Sequence, residues 1–298
     1  MLYANPLSAA VAKIFSLIAM PAFGSPEQRS LAGVETLIRT SEGEGSPVVF
    51  VHGNPSSSFD WIPFAAKLRS PAIAFDLPNF GGAERLPRSR FPATLEAYAE
   101  WIGAAIDELC LDRFKLVAHD WGGIALSPAS ERGERVERVV VMNAVPLFAG
   151  YRWHWIARIW RRRGLGEAFN ATTSRPMFRL VTRQARPRLR AMPKDWVDRT
   201  WADFDRGTRD AVLALYRSAD PDRLGAAGAR LAEIACPALV AWGQSDPYIG
   251  RIWGEAYAAA LPNAELAEIG LAGHWPWVDR PELIDRVARF LDGGRDTG

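Results

Sequence analysis

A short apolar strand that runs directly into a helix is the feature that most limits how this chain can fold. Residues 114–118 have the composition of a buried strand, and residues 122–126 are those of a helix start. Ala118 and Gly122 are small, so the chain can bend sharply between the two elements. Such a turn holds its central side chain, Asp120, in the open at the end of the strand. The chain is therefore predicted to contain strand–helix units, with Asp120 displayed at one edge of a sheet.

An aspartate at this turn limits the chemistry that is possible there. A serine in the same place needs a base to deprotonate it, whereas a carboxylate with a reference pKa of ~4 is already an anion at neutral pH. Such an anion displaces leaving groups from saturated carbon and becomes an alkyl ester in doing so. Asp120 therefore favours cleavage of carbon–halogen bonds or of epoxides over ordinary ester hydrolysis.

Strand and helix patterns alternate along most of the chain and are interrupted once. Strand patterns occupy residues 33–40, 47–51, 72–75, 114–118, 136–142, 237–242 and 264–269. Between 147 and 231 no buried-strand pattern occurs, and tryptophans, arginines and helical spacings take its place. This order predicts an α/β fold with a doubly wound, mostly parallel sheet and an inserted helical cap. We assign residues 26–146 and 232–298 to the core and residues 147–231 to the cap.

The first 25 residues are interpreted as an N-terminal helical extension. Residues 7–20 are apolar, but no basic residue precedes them and Lys13 interrupts them, so the pattern of a signal peptide is incomplete. The segment is also too short to span a bilayer. The spacing of Val11, Ile14, Phe15 and Ile18 suits an amphipathic helix on the domain or against a partner. We expect a cytoplasmic protein without stable membrane insertion.

Composition excludes some classes of partner. Lys and Arg total 36 against 34 Asp and Glu, and this near balance argues against a nucleic-acid surface. Two widely separated cysteines, Cys110 and Cys236, offer neither a disulfide framework nor a metal site. Ten arginines lie between 158 and 190, and we interpret them as the solvated surface of the cap. We expect no metal and no organic cofactor, and the oligomeric state stays open.

Two further residues follow later strand patterns and match a catalytic order. Asp246 comes after the pattern at 237–242, and His274 comes after the pattern at 264–269. Open α/β sheets place their ligands beyond the carboxyl ends of the strands. Nucleophile, acid and histidine in that chain order form the triad of such hydrolases. Asp120 would attack carbon, His274 would activate water to hydrolyse the ester, and Asp246 would orient the imidazole.

The loop after the first buried strand supplies hydrogen-bond donors. In residues 52–55 the backbone amide of Asn54 would join that of Trp121 in an oxyanion hole. The side chains of Asn54 and Trp121 also carry N–H donors, which would hold a leaving halide. Trp121 as a mere pocket wall is the alternative. His52 and His119 lie at strand–loop junctions, where structural roles are expected.

These motifs resemble those of the haloalkane dehalogenases and of the related α/β-hydrolase-fold epoxide hydrolases. The resemblance covers the chain from about Gly33 onward and is weakest in the cap. It implies Asp120, His274 and Asp246 as the triad and Asn54 with Trp121 as the halide pair. Some dehalogenases place the acid after the preceding strand, but residues 143–146 contain no carboxylate. At 76–82, Asn79 stands where the family usually has glycine.

Two other functions are kept beside dehalogenation, which we favour. An epoxide leaves as an alkoxide that must be protonated, and Tyr151 and Tyr216 resemble the ring-opening tyrosines of epoxide hydrolases. His154 could replace one of these donors. A non-catalytic ligand receptor on the same fold is the third possibility, although no triad member is missing. The many tryptophans predict an apolar pocket for a small hydrophobic organic substrate, with water as the only cosubstrate.

Overall fold

The computed structural model describes residues 23–294, which form one eight-stranded sheet with helices on both faces. The strands are β1 (Glu27–Leu31), β2 (Val34–Ser41), β3 (Val48–Val51), β4 (Ala72–Phe75), β5 (Phe114–His119), β6 (Val136–Met142), β7 (Ala238–Gly243) and β8 (Ala264–Ile269). Their order in the sheet is β1-β2-β4-β3-β5-β6-β7-β8. The first two pairings, β1 with β2 and β2 with β4, are antiparallel, and all the others are parallel.

Helices connect the strands and fill one long insertion. They are α1 (Ile62–Ala65), α2 (Leu95–Glu108), α3 (Leu126–Glu131), α4 (Trp155–Arg161), α5 (Leu165–Thr172), α6 (Arg175–Thr182), α7 (Lys194–Asp203), α8 (Arg206–Ser218), α9 (Pro221–Ala227), α10 (Ile252–Ala260), α11 (Pro276–Asp279) and α12 (Glu282–Leu291). Short 3-10 turns occupy Ser58–Trp61, Asp120–Ala125, Gly133–Arg135, Arg183–Ala185, Pro187–Leu189 and Leu231–Glu233. Helices α4 to α9 all lie between β6 and β7, in the segment 143–237 that we call the helical insertion.

The central strands are buried on both faces, which explains their continuous apolar sequences. All four residues of β3 and all six residues of β5 are buried. Val49 and Val51 belong to the hydrophobic cluster on one face, whereas Val48 and Phe50 belong to the cluster on the other. Burying each such side chain contributes about 1.5–3 kcal/mol. The predicted α/β class, with a mostly parallel sheet and a helical insertion, is confirmed.

Polar side chains fix where several helices begin. Thr94 accepts a hydrogen bond from the amide of Ala97 at the start of α2, and Asp205 accepts one from the amide of Thr208 at the start of α8. These N-caps satisfy amides that would otherwise lack a partner.

The predicted N-terminal extension, residues 1–25, lies outside the described residues except for its last three positions. Within 23–294, no helix has both the length and the apolar character needed to cross a membrane.

Candidate active site

Asp120 stands at the carboxyl end of β5 in a strained backbone conformation. It is the first residue of the turn Asp120–Ala125, and its φ of +51° is one that residues other than glycine rarely adopt. Such strain costs about 1–3 kcal/mol. Two glycines make room for the turn, since a Cβ on Gly122 would lie 2.1 Å from the carbonyl oxygen of Val51, and one on Gly53 would lie 2.3 Å from Oδ1 of Asp120.

The three predicted triad side chains lie together beyond the carboxyl ends of β5, β7 and β8. Nδ1 of His274 lies 2.8 Å from Oδ2 of Asp246, and Nε2 of His274 lies 3.4 Å from Oδ2 of Asp120. All three residues are buried. The imidazole therefore stands between two carboxylates, one on each ring nitrogen.

Asn143, at the carboxyl end of β6, holds Asp246 in place and was not among the predicted site residues. Its Nδ2 donates to Oδ2 of Asp246 at 2.7 Å, and its Oδ1 accepts from the amide of Gly243 at 2.8 Å. The other oxygen of Asp246 accepts hydrogen bonds from the amides of Tyr248 and Ile249. Asp246 is thus fully engaged as an acceptor and cannot turn away from the imidazole.

Charge within the cluster keeps Asp120 ionised. Burial by itself would raise the pKa of Asp120, but the hydrogen bond and charge of His274, with help from the amide of Asn54, lower it below its ordinary value. Burial also works against a charged His274, yet the carboxylates of Asp246 and Asp120 outweigh it and raise the pKa of His274. Each of the two groups therefore favours the charged form of the other.

The other two histidines at the strand ends are engaged with the backbone. Nε2 of His119 lies 2.8 Å from the carbonyl oxygen of His274, and burial followed by the charge of His274 lowers the pKa of His119 to about 3. Nε2 of His52 accepts from the amide of Leu77, while Nδ1 of His52 lies 2.9 Å from the carbonyl oxygen of Gly53. Neither ring is placed to take a proton from water beside Asp120.

The two predicted halide donors differ in position, since Asn54 lines the cavity above Asp120, whereas Trp121 stacks on Trp153 and is not among the lining residues. The amide of Asn54 donates to Oδ1 of Asp120 at 2.6 Å. The Nδ2 atom of Asn54 lies 3.5 Å from the hydroxyl of Tyr216. Nε1 of Trp121 is buried and interacts with the hydroxyl of Tyr216, but it makes no well-aligned hydrogen bond to any described residue. A buried N–H without an acceptor is costly, at about 1–3 kcal/mol, and marks a place where a ligand acceptor would be favoured.

The two predicted ring-opening tyrosines both line the cavity, but their hydroxyls differ in direction. The ring of Tyr216 meets that of Trp121 edge-on, with centroids 5.0 Å apart, and its hydroxyl faces Asn54. The hydroxyl of Tyr151 instead donates to the carbonyl oxygen of Tyr248 at 3.1 Å. Burial raises the pKa of both phenols, so both are protonated at neutral pH. Only Tyr216 presents its hydroxyl to the donors above Asp120.

The cavity above Asp120 is mostly apolar. It encloses about 790 Å³ of non-atom space, part of it open to solvent. Its apolar walls come largely from the helical insertion and include Trp153, Ile156, Trp160, Phe169, Phe178, Val181 and Phe204. His154 and Tyr248 also line it, and burial lowers the pKa of His154 to about 4, so that ring is neutral at pH 7. An apolar cavity with few polar groups suits a small hydrophobic molecule.

A further buried carboxylate, Asp60, contacts the residue that follows His274. Asp60 accepts the indole N–H of Trp196 at 3.0 Å and that of Trp275 at 3.1 Å. Trp196 belongs to α7 of the helical insertion, and Trp275 directly follows His274 and lines the cavity. Asp60 thus joins the core, the insertion and the histidine loop. Burial raises the pKa of Asp60 to about 6, although the indole bonds oppose this.

The sequence of this chain is similar to those of known proteins. The alpha/beta hydrolase fold family matches this chain over residues 46–281. Haloalkane dehalogenase 2 of Mycobacterium tuberculosis is 29% identical over 268 residues, which cover 82% of this chain and 86% of the relative.

Solved structures give the same architecture. The haloalkane dehalogenase DbeA from Bradyrhizobium elkani USDA94 superposes with a TM-score of 0.77 at 27% identity, covering 90% of this chain and 98% of that one. The epoxide hydrolase VrEH1 from Vigna radiata superposes with a TM-score of 0.74 at 20% identity, covering 90% and 97%. The second likeness is one of fold alone.

Proposed function

The chain belongs to the alpha/beta hydrolase fold family, and from this premise we propose that it hydrolyses haloalkanes to an alcohol and a halide. Asp120 is the nucleophile, His274 the base, and Asp246 the carboxylate that orients the base. The observation that carries the proposal is the buried indole N–H of Trp121, which has no well-aligned hydrogen bond to any described residue and belongs to the neighbour of Asp120, whose pKa is lowered. The similarity to haloalkane dehalogenases in sequence supports it.

In the first step Oδ2 of Asp120 attacks the carbon that carries the halogen. A carbon–oxygen bond forms, the carbon–halogen bond breaks, and the halide leaves with the electron pair. A halide is a weak base that needs hydrogen bonds but no proton. Nδ2 of Asn54 and Nε1 of Trp121 supply these hydrogen bonds. Hydrogen bonds to a charged group contribute about 1.5–3 kcal/mol each, so these two donors stabilise the developing anion substantially.

In the second step water cleaves the alkyl ester. His274 takes a proton from water, and the resulting hydroxide attacks the carboxyl carbon of Asp120. Negative charge then builds on Oδ1, which already accepts the amide of Asn54 at 2.6 Å. The alcohol leaves with a proton from His274, and the net products are alcohol, halide and one released proton.

We also propose that residues 147–231 act as the cap that selects the substrate. The helical insertion supplies most of the apolar wall of the cavity, so it excludes water from the first step and favours hydrophobic haloalkanes.

The experiment that tests this function compares two substrate panels. The purified chain is incubated with bromohexane and related haloalkanes, and halide and acid release are followed. In parallel it is incubated with styrene oxide and related epoxides, and diol is measured. Asp120→Asn serves as the inactive control. Turnover of the haloalkanes supports the proposal, and turnover of epoxides alone would replace it with the second candidate.

Epoxide hydrolysis is that second candidate, and one observation favours it. The hydroxyl of Tyr216 lies 3.5 Å from Nδ2 of Asn54, in the region where a leaving oxygen would develop charge. Tyr216 would donate its proton to the alkoxide, and His274 and Asp120 would act as before. Tyr151 would first have to give up its bond to the carbonyl of Tyr248 to assist, which makes dehalogenation the better supported of the two.

A further inference from the structure

The charges of this chain are distributed very unevenly. Residues 147–193 contain eleven arginines and a single acidic residue, Glu167, which gives this segment a net charge of +10. Because the whole chain carries only +2, the remaining residues together carry −8. The helical insertion therefore contains a strongly basic region, although the net charge of the whole chain is small.

Most of these arginines lack an acidic partner. Eight of them are exposed and form no ion pair with any residue in 23–294; they are Arg152, Arg158, Arg162, Arg163, Arg179, Arg183, Arg188 and Arg190. Glu167 is already paired with Arg217 at 2.8 Å. The arginines therefore attract anions from outside the molecule. We call this surface of α4, α5, α6 and the turns at 183–189 the basic face.

Large apolar side chains are exposed on the same elements. Leu165 on α5 is 53% exposed, Leu180 on α6 is 67% exposed, and Leu189 is 58% exposed. Trp155 at the start of α4 is 43% exposed. No residue in the described part of the chain covers the exposed surface of these side chains. Only a partner outside that part would bury them.

Contacts between these elements make the surface continuous. The indole N–H of Trp155 donates to Gln184, and Nε of Arg183 donates to the carbonyl of Leu189. The ring of Trp155 also contacts that of Phe169. Trp155, the turns at 183–189 and α5 are thus neighbours, and their exposed side chains belong to one surface.

The helices that carry the basic face also supply part of the wall of the cavity above Asp120. Phe169 on α5 and Val181 on α6 line the cavity and are only partly buried. Leu165 lies one helical turn before Phe169, and Leu180 is the neighbour of Val181. The exposed apolar side chains therefore adjoin the partly exposed wall of the cavity.

We propose that the basic face docks this protein on an anionic lipid membrane, from which apolar substrates enter the cavity. Arginines attract the lipid phosphates, and the leucines and Trp155 enter the interfacial layer beside them. Charge attraction and apolar insertion are two separate signals, and membrane surfaces are bound stably when both are present. A nucleic acid would satisfy the arginines but would leave the exposed leucines in water, so the lipid surface fits both features.

The test measures vesicle binding by cosedimentation, without substrate turnover, so its result does not depend on the haloalkane proposal. The full chain is mixed with vesicles of phosphatidylcholine alone or with one third phosphatidylglycerol. We expect binding to the anionic vesicles that weakens at high salt, and at least tenfold weaker binding to the neutral ones.

Two variants separate the contributions of charge and apolar contact. Neutralising Arg163→Gln, Arg179→Gln and Arg190→Gln together should weaken binding by about a hundredfold, since each basic side chain at an anionic surface contributes about fivefold. Leu165→Ser with Leu180→Ser should weaken it at least tenfold. All these side chains are exposed, so the thermal unfolding midpoint should not change.

The matched control is Ile252→Ser with Leu271→Ser, on the core, where the side chains are 59% and 60% exposed. This control should bind vesicles as the unchanged protein does. The full chain retains residues 1–22 in every variant, so only the substitutions differ. Absence of binding to anionic vesicles, or equal losses in the control, would overturn the proposal. Unchanged binding by the leucine variant, together with tight binding of duplex DNA, would show a general polyanion site instead.

Discussion

The Nε2 atom of His274 lies 3.4 Å from Oδ2 of Asp120, and both side chains are buried. This pairing raises the pKa of His274 and lowers that of Asp120. In the proposed mechanism, alkylation turns Asp120 into a neutral ester and removes one of the two carboxylates beside the imidazole. The pKa of His274 then falls, and the ring becomes able to take a proton from water. The first step thereby prepares the base for the second.

Replacing the base should trap the covalent intermediate. In His274→Gln, Asp120 still displaces the halide, but no side chain activates water against the ester. We expect about one equivalent of halide per protein, followed by a steady rate at least a thousandfold below that of the unchanged protein. Mass spectrometry of the peptide that contains Asp120 should show the added alkyl group. An alkyl adduct on another residue would disprove the role of Asp120.

The two steps should also differ in their dependence on pH. Alkylation needs an ionised Asp120, whose pKa is lowered, whereas ester hydrolysis needs a neutral His274. As the pH falls below the pKa of His274 in the ester, which Asp246 still raises, hydrolysis should slow about tenfold per pH unit. Rapid-mixing measurements should show that the initial burst of halide persists in this range. A burst that declines in parallel with the steady rate would contradict this assignment.

Much of the fold could be predicted from the sequence because the central strands are buried on both faces. Continuous apolar residues in β3 and β7, and an apolar sequence in β5 that only Lys115 interrupts before His119, leave few alternatives, and the small residues around Asp120 permit the turn. Strand β1 was not predicted, since four of its five residues are exposed and polar. Backbone hydrogen bonds to β2 hold this strand at the sheet edge. Because backbone pairing does not require apolar side chains, the sequence of the strand has no apolar pattern.

The site could be predicted only in part, for a similar reason. Asp120, Asp246 and His274 follow strand ends, and a parallel sheet brings such ends together. The roles of Asn143 and Asp60 depend on side-chain contacts across the fold, and those of Asp60 come partly from the helical insertion. The bond from Tyr151 to the carbonyl of Tyr248 likewise depends on that packing. Sequence spacing carries no signal for such contacts.

The leaving-group donors can be separated by two conservative substitutions. Trp121→Phe removes the indole N–H, and halide release from bromoalkanes should slow about 10- to 100-fold, because a hydrogen bond to the halide is lost. Tyr216→Phe should change halide release less than fivefold if dehalogenation is the function. Trp101→Phe is the matched control, since its buried Nε1 also lacks a described partner but its ring packs against Phe75 rather than against Tyr216. A larger effect of Tyr216→Phe than of Trp121→Phe would favour epoxide opening.

The carboxylate of the proposed triad should be movable from the end of β7 to the end of the neighbouring strand β6. Nδ2 of Asn143 and Nδ1 of His274 both contact Oδ2 of Asp246. A carboxylate at position 143 would therefore lie close to the imidazole. Asp246→Ala should lower the rate of ester hydrolysis about a thousandfold or more, because the imidazolium loses its partner. The double variant with Asn143→Asp should hydrolyse the ester at least tenfold faster than Asp246→Ala alone. Aspartate also tolerates the positive φ of position 143. Asn143→Ala alone should slow hydrolysis but leave the alkylation burst. No recovery in the double variant would show that Asn143 only holds Asp246.

Asp60 should make the stability of the protein depend on pH in a defined direction. Burial raises its pKa to about 6 in the folded protein, above the 3.8 of an exposed carboxyl. The folded state therefore binds this proton more readily, and the group lowers the free energy of unfolding as the pH rises from about 4 to 6. The full difference amounts to about 3 kcal/mol. Asp60→Asn removes this titration but also leaves one indole N–H of Trp196 or Trp275 without an acceptor, so the variant should be less stable overall. Its deficit, measured by urea unfolding, should be smaller at pH 7 than at pH 4. Equal deficits at both values would mean that Asp60 stays in one protonation state across this range.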